Sequence, residues 1–132
     1  IIGISDEAYD WVMLRKTENL TILPKISEEN LLEYYQKAKV YCQLSCREGL
    51  PNALCEAMLC ECIPVGTSHN GIPTAIGDTG YYAKFNNVVS TKMAIEKALL
   101  VENGKNARER IIQLFPKSKR KEELVKLIGE LL

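Results

Sequence analysis

Apolar residues come in short unbroken runs over the first two thirds of the chain and at helical spacing over the last third. Residues 1–4 read as the end of a buried strand, followed by a helix start at Ser5, Asp6 and Glu7, a capping hydroxyl with acids in the first turn. Ala8, Trp11 and Val12 supply that helix's apolar stripe. Residues 20–26 (LTILPKI) form a short strand running into a Pro-containing loop. Ser27, Glu28 and Glu29 open the next helix, with Leu31, Tyr34, Tyr35 and Ala38 on one face.

Residues 40–44 are a further strand, and a loop at 45–50 leads into a helix from about Pro51 to Cys60, proline being suited to a first helical turn. Residues 63–66 and 80–83 are strands, with a polar loop at 67–71 and a short helix at 72–76 between them. From Ser90 the pattern is helical to the end. One stripe is Ala94, Ile95, Ala98 and Leu99; a second is Ala107, Ile111, Leu114 and Phe115; a third is Leu124, Leu127, Ile128 and Leu131, with Pro116 separating the last two helices. Strands without strict alternation predict burial on both faces, so the fold class is α/β: a Rossmann-like, doubly wound parallel sheet with extra C-terminal helices. Such sheets bind ligands at the carboxyl ends of their strands, near the switch in strand order.

Composition changes this picture little. The chain has 132 residues, 46% apolar and 26% charged, which suits one ordinary domain and excludes disorder. Basic and acidic residues balance at 17 each, so no global field points to nucleic acid or to a membrane. The run KSKRK at 117–121 reads as a solvated helix start. No apolar run reaches the length of a membrane span, and no leader peptide is visible. The chain opens on Ile1-Ile2-Gly3 without a methionine, which reads as a fragment of a longer protein. Five cysteines, Cys42, Cys46, Cys55, Cys60 and Cys62, are an odd number with apolar neighbours. They are expected to be reduced, buried small hydrophobes in a cytoplasmic compartment. Their spacing matches no common zinc pattern, and no metal is expected.

Chemistry concentrates in residues 45–58, SCREGLPNALCEAM, which run from a strand end through Gly49-Leu50-Pro51 into a helix. A helix start offers unpaired N–H groups and a partial positive charge. Gly49 removes the side chain that would block close approach, so this turn is suited to phosphate or pyrophosphate. Glu56 has Leu54, Cys55, Ala57, Met58 and Leu59 around it, which predicts a buried carboxylate in need of partners. A ribose diol would supply two donors; an internal salt bridge or a cap to a nearby loop would serve equally. Glu48 precedes the helix and Glu56 lies about six residues inside it, roughly 8 Å along the axis at 1.5 Å per residue. Two carboxylates so spaced about a phosphate-binding turn suit a ligand with hydroxyls at both ends, such as a nucleotide sugar. Arg47 reads as a surface residue and the lone histidine, His69, as an exposed loop residue.

The segment Glu48-x7-Glu56, with Gly-Leu-Pro-Asn-Ala-Leu inside it, resembles the signature of the group 1 family of retaining GT-B glycosyltransferases. Residues 62–67 (CIPVGT), Asn70-Gly71-Ile72-Pro73 and Asp78-x-Gly80-Tyr81 resemble later family segments, and residues 31–44 the helix and strand before the signature. The resemblance implies the C-terminal, donor-binding half of a GT-B fold across residues 1–132. It makes Glu48 the catalytic residue, binding hydroxyls of the transferred sugar and steadying charge at the anomeric carbon. Gly49 and Leu50 would approach sugar and phosphates through their backbone. Asn52, Ala53 and Leu54 would lie along the pyrophosphate and ribose, and Glu56 would hold the ribose hydroxyls. Leu23 and Lys25 would flank the base, and Gly71 would border the sugar pocket.

The same resemblance implies a nucleotide-diphosphate sugar as substrate and no cofactor. The acceptor would sit on an N-terminal half of the same protein, and any membrane association would come through that half. The Arg and Lys that the family uses against the diphosphate would precede residue 1. Where the family often has a second Gly and a Glu, this chain has Asn70 and Thr74. The final helices have two readings: they simply cover the sheet, or, as the terminal helix of GT-B proteins commonly crosses back to the other half, residues 124–132 expose an apolar stripe capable of self-association. Two other functions fit part of the pattern: a nucleotide-sugar epimerase of GT-B fold, and a non-catalytic module that binds nucleotide or a protein partner.

Overall fold

A computed structural model describes residues 1–131; Leu132 and the side chains of Lys117, Arg120 and Leu131, which belong to the basic run and the last stripe, lie outside the described residues. The chain forms two compact units, one of residues Ile1–Tyr34 and one beginning at Tyr35.

The first unit holds α1 (Asp6–Met13) and most of α2 (Glu28–Lys37). The strands expected at 1–4 and 20–26 shrink to one parallel bridge, Ile2 to Leu23. Its bonds run from Leu23 N to Ile1 O (2.8 Å) and from Gly3 N to Leu23 O (3.0 Å). Two strands alone lack the packing that extends a ladder. Ser5 stands at the N-cap of α1, but its hydroxyl makes no capping bond. Ser27 does cap, its Oγ accepting from Asn30 N at 3.3 Å. The predicted stripe of α1 is not a buried one: the helix buries none of its residues, and Trp11 is 60% exposed. The Arg15 guanidinium instead lies 4.1 Å over the indole.

The second unit begins within α2 and continues through β1 (Val40–Gln43), α3 (Asn52–Leu59), β2 (Ile63–Thr67), α4 (Ile72–Ile76) and β3 (Tyr81–Ala83). The helices α5 (Val88–Leu100), α6 (Lys105–Leu114) and α7 (Lys117–Leu131) complete it. The three strands form a parallel sheet in sequence order, with Val40 opposite Ile63 and Val65 opposite Tyr81. The reversal of strand order expected of a doubly wound sheet does not fall within these three strands.

Helices cover both faces, as expected. Ile63 and Val65 of β2 pack with Ala83, Ala94 and Ala98 on the α5 side. On the other side Leu54, Met58, Ile72, Ile76, Ala107 and Ile111 join α3, α4 and α6, with Tyr41 of β1 against them. β2 is buried throughout although it contains Pro64. Ile63 N–H donates to Lys39 O (2.8 Å), so the proline nitrogen, one residue on, faces β3. There the pairing starts only at Val65, and no ladder bond is lost.

Several burial expectations are corrected. α3 buries Leu54, Ala57 and Met58, an i, i+3, i+4 stripe, and leaves Glu56 exposed on the opposite side. Apolar composition did not mean burial all round, because only one stripe of α3 meets the core. Among the cysteines only Cys62 is buried; Cys46, Cys55 and Cys60 are half-buried and Cys42 is exposed, and all five are free thiols. Tyr34, Leu99 and Phe115 of the predicted stripes are also exposed. Leu124, Leu127 and Ile128 of α7 are at least half exposed, so this stripe does not cover the sheet. Among the described residues no helix is long and apolar enough to cross a membrane.

Candidate functional site

The loops after β1 and β2 leave the carboxyl ends of adjacent parallel strands and meet. Gly71 N–H reaches Glu48 O at 3.5 Å, and Asn70 Nδ2 donates to Cys46 O at 3.3 Å. The approach at Gly71 is so close that a Cβ there would overlap the Gly49 carbonyl, while its backbone angles (φ −77°, ψ −7°) are ordinary. Gly49 is the reverse case. A Cβ at Gly49 would meet nothing within 4 Å. Asn70 adopts φ +50°, a conformation asparagine tolerates better than most residues.

Glu48 is half-buried and its Oε1 is held twice, by Gln43 Nε2 (2.9 Å) and by Ser45 Oγ (2.8 Å). Gln43 Nε2 also donates to Ser45 Oγ (2.9 Å), and Tyr41 Oη donates to Gln43 Oε1 (3.2 Å). Thr67 Oγ1, at the end of β2, donates to Ser45 O (2.6 Å) and fixes that turn. Oε2 of Glu48 makes no hydrogen bond among the described residues. Tyr41 lies against the core beside Tyr35, ring to ring at 5.8 Å and edge-on. Burial pushes the Tyr41 hydroxyl pKa up, and the nearby Glu48 and Glu56 carboxylates push it further. Burial likewise lifts Tyr35 to about 12. Both glutamates therefore stand within electrostatic reach of one phenol.

At the start of α3, Pro51 is the N-cap and offers no side-chain acceptor. The first-turn N–H groups of Asn52, Ala53 and Leu54 are left to bind an anion. Leu54 has only this backbone group to offer, since its side chain is fully buried in the core. Asn52 and Leu50 are exposed, Ala53 is half-buried, and Leu50 and Asn52 line a cavity of about 600 Å³ shared with Cys55, Leu114 and Phe115. A second cavity, about 570 Å³, opens at the strand ends among Leu44, Thr67, Lys84, Phe85 and Val88; neither glutamate lines it.

Leu23 and Lys25 belong to the first unit, where Leu23 forms the bridge to Ile2 and Lys25 is exposed. Arg47 is exposed, and His69, also exposed, packs edge-on to Phe85 at 5.8 Å. Among the described residues no group of three or more His, Cys, Asp and Glu side chains is gathered as a metal site requires. The sequence alone assigns no role to Tyr41 and Gln43, and none to Ser45, Thr67 and Asn70 although they stand in the segments it singles out. Polar residues at positions 41 and 43 of a strand expected to be apolar were the available signal.

The profile of the family described as Glycosyl transferases group 1 matches residues 10–128. Among curated proteins, an alpha-1,4-N-acetyl-D-galactosaminyltransferase of Campylobacter jejuni is 34% identical over 110 residues, covering 77% of this chain and 30% of its own. A trehalose synthase of Thermococcus litoralis is 30% identical over 98% of this chain and 35% of its own. The chain thus spans about a third of the length of these relatives. Among solved structures, a sucrose-phosphate synthase from Thermosynechococcus elongatus superposes with a TM-score of 0.84 at 22% identity, over 98% of this chain and 37% of that one. A glycosyltransferase involved in avilamycin A biosynthesis gives 0.79 at 14% identity, over 98% of this chain and 42% of that one. These two likenesses establish the shared fold.

Proposed function

Because the chain belongs to the group 1 glycosyl transferases, we propose that it is the donor-binding half of an enzyme that moves a sugar from a nucleotide-diphosphate sugar to an acceptor, with retention at the anomeric carbon. The observation that carries this reading is the Glu48 carboxylate, tied through Oε1 and open at Oε2, beside a glycine and an uncapped helix start. The open oxygen accepts from sugar hydroxyls and faces the positive charge that builds as the glycosidic bond to phosphate breaks. The α3 N–H groups hold the diphosphate across the space left at Gly49. Glu56, one to two turns further along and exposed, accepts from the ribose hydroxyls. Its exposure supports that role better than burial would, since a ligand must reach it.

The acceptor is bound by a part of the protein outside these residues, a reading supported by the third of the relatives' length that this chain spans. Binding energy from the nucleotide then positions the anomeric carbon in the cleft between the two parts.

A thermal-shift panel of UDP-, GDP- and ADP-sugars on the full-length protein tests the reading. A true donor at a hundredfold excess over its Kd raises stability by about 2.7 kcal/mol. Glu56→Ala should abolish that shift, and an unchanged shift would remove Glu56 from the site. Product analysis separates transfer from epimerisation: isomerised donor with no transferred sugar would replace the transferase reading by an epimerase one.

A further inference from the structure

Tyr41 and Gln43 sit at alternate positions of β1, on the side of the sheet that packs against α3. Inward positions of a parallel strand are ordinarily apolar, and an apolar pair would fill this space with no polar group to satisfy. The polar pair here has one outlet. Tyr41 donates to the Gln43 carbonyl, and the Gln43 amide donates to Glu48 Oε1 and to Ser45 Oγ, which donates to the same Oε1. We propose that Tyr41 and Gln43 are positioning residues for Glu48, a relay that runs from the core to the carboxylate and sets which of its oxygens faces the sugar. The inference rests on the reading of Glu48 as the sugar-binding carboxylate.

The chemistry of the amide explains what each residue contributes. A glutamine side chain can present either its NH₂ or its carbonyl to a neighbour. Turned about, Gln43 would set its carbonyl oxygen against the Glu48 carboxylate, acceptor against acceptor. The Glu48 carboxylate disfavours that flip, and the Tyr41 hydroxyl, donating to the carbonyl end, adds a bond to the orientation that aims the amide at Glu48. That hydroxyl stays a donor because burial and the two glutamates disfavour the phenolate. With Oε1 saturated, Oε2 is the oxygen left for ligand, and the rotamer is fixed before the ligand arrives.

The test compares each sugar nucleotide with its parent nucleotide, by titration calorimetry on the full-length protein. The probe pairs are UDP-glucose with UDP, GDP-mannose with GDP, and ADP-glucose with ADP. Gln43→Leu should weaken the sugar nucleotide roughly tenfold, the loss of a charge-assisted hydrogen bond. Tyr41→Phe should cost somewhat less. Both variants should bind the parent nucleotide as before, because Glu48 is the one candidate donor-binding side chain to which the relay is hydrogen-bonded among the described residues. Gln43→Glu sets a second carboxylate beside Oε1, so its sugar-nucleotide affinity should recover as pH falls and one of the pair takes a proton.

Equal losses for sugar nucleotide and nucleotide in Gln43→Leu would make the role merely structural and overturn the relay. So would retention of sugar-nucleotide affinity in Gln43→Leu while Glu48→Gln loses it; the donor-site reading would then stand without the relay. Retention of that affinity in Glu48→Gln itself would sink the donor-site reading on which the relay depends.

Discussion

The loops after β1 and β2 each turn on a glycine, and the two glycines are there for opposite reasons. Neither has a positive φ, so backbone freedom explains neither. Gly71 is excluded from bearing a side chain by the Gly49 carbonyl lying against it. Gly49 is excluded by nothing in the protein: a methyl group there would stand in open space at the mouth of α3. One glycine serves packing; for the other the proposed donor site supplies the reason, access to the start of α3. Under the proposed function the β2 loop is scaffold and the β1 loop is the working surface it supports.

The sharpest way to break that division is at Glu48. Glu48→Gln in the full-length enzyme should lower the transfer rate by roughly a hundredfold or more, the usual cost of removing a group aimed at developing charge. Steady-state kinetics with the donor from the thermal-shift panel would show it, and unfolding midpoints should stay in place. Gly71→Ala should act the other way, costing about 2–3 kcal/mol of stability in urea unfolding as the two loops are forced apart. Gly49→Ala should separate stability from binding altogether. It should raise stability by about 0.5 kcal/mol, through the unfolded chain, while weakening donor affinity about tenfold. If Gly49→Ala destabilises the fold as Gly71→Ala does, the comparison collapses. The smallest effect belongs to Asn70→Gly, which relieves φ +50° but gives up the bond to Cys46 O; the two nearly cancel, leaving stability within about 0.5 kcal/mol.

Much of the second unit was legible from the sequence because its signals are local. Ile63 to Thr67 and Tyr81 to Ala83 are largely apolar runs bounded by turn residues, Val40 to Gln43 is a short strand-forming run despite its polar positions 41 and 43, and Pro51 marks the entry to α3. What failed depended on what each segment packs against. Ile1–Ile4 and residues 20–26 carry strand-forming residues but form only one bridge. Trp11 looked like a core residue and stacks with Arg15 at the surface. The apolar residues beside Glu56 in sequence are not its neighbours in space. α3 turns those apolar residues toward the core and Glu56 away from it. At the candidate site, Glu48 and Gly49 could be read from the chain, while the bonds from Gln43, Ser45 and Asn70 depend on where three loops and strands converge.

α4 has only five residues, begins at Gly71 as its N-cap, and ends where Arg110 of α6 donates to the carbonyls of Ala75 (2.8 Å) and Thr74 (3.0 Å). A helix this short does not hold itself together in water. Its closing bonds come from a residue 35 and 36 positions later in the chain. The carbonyls at the end of α4 thus have this partner only in a chain that extends through α6. A chain cut off before Arg110 would carry the signature residues and the direct bonds between the two loops, but not the side chain that closes the far end of α4.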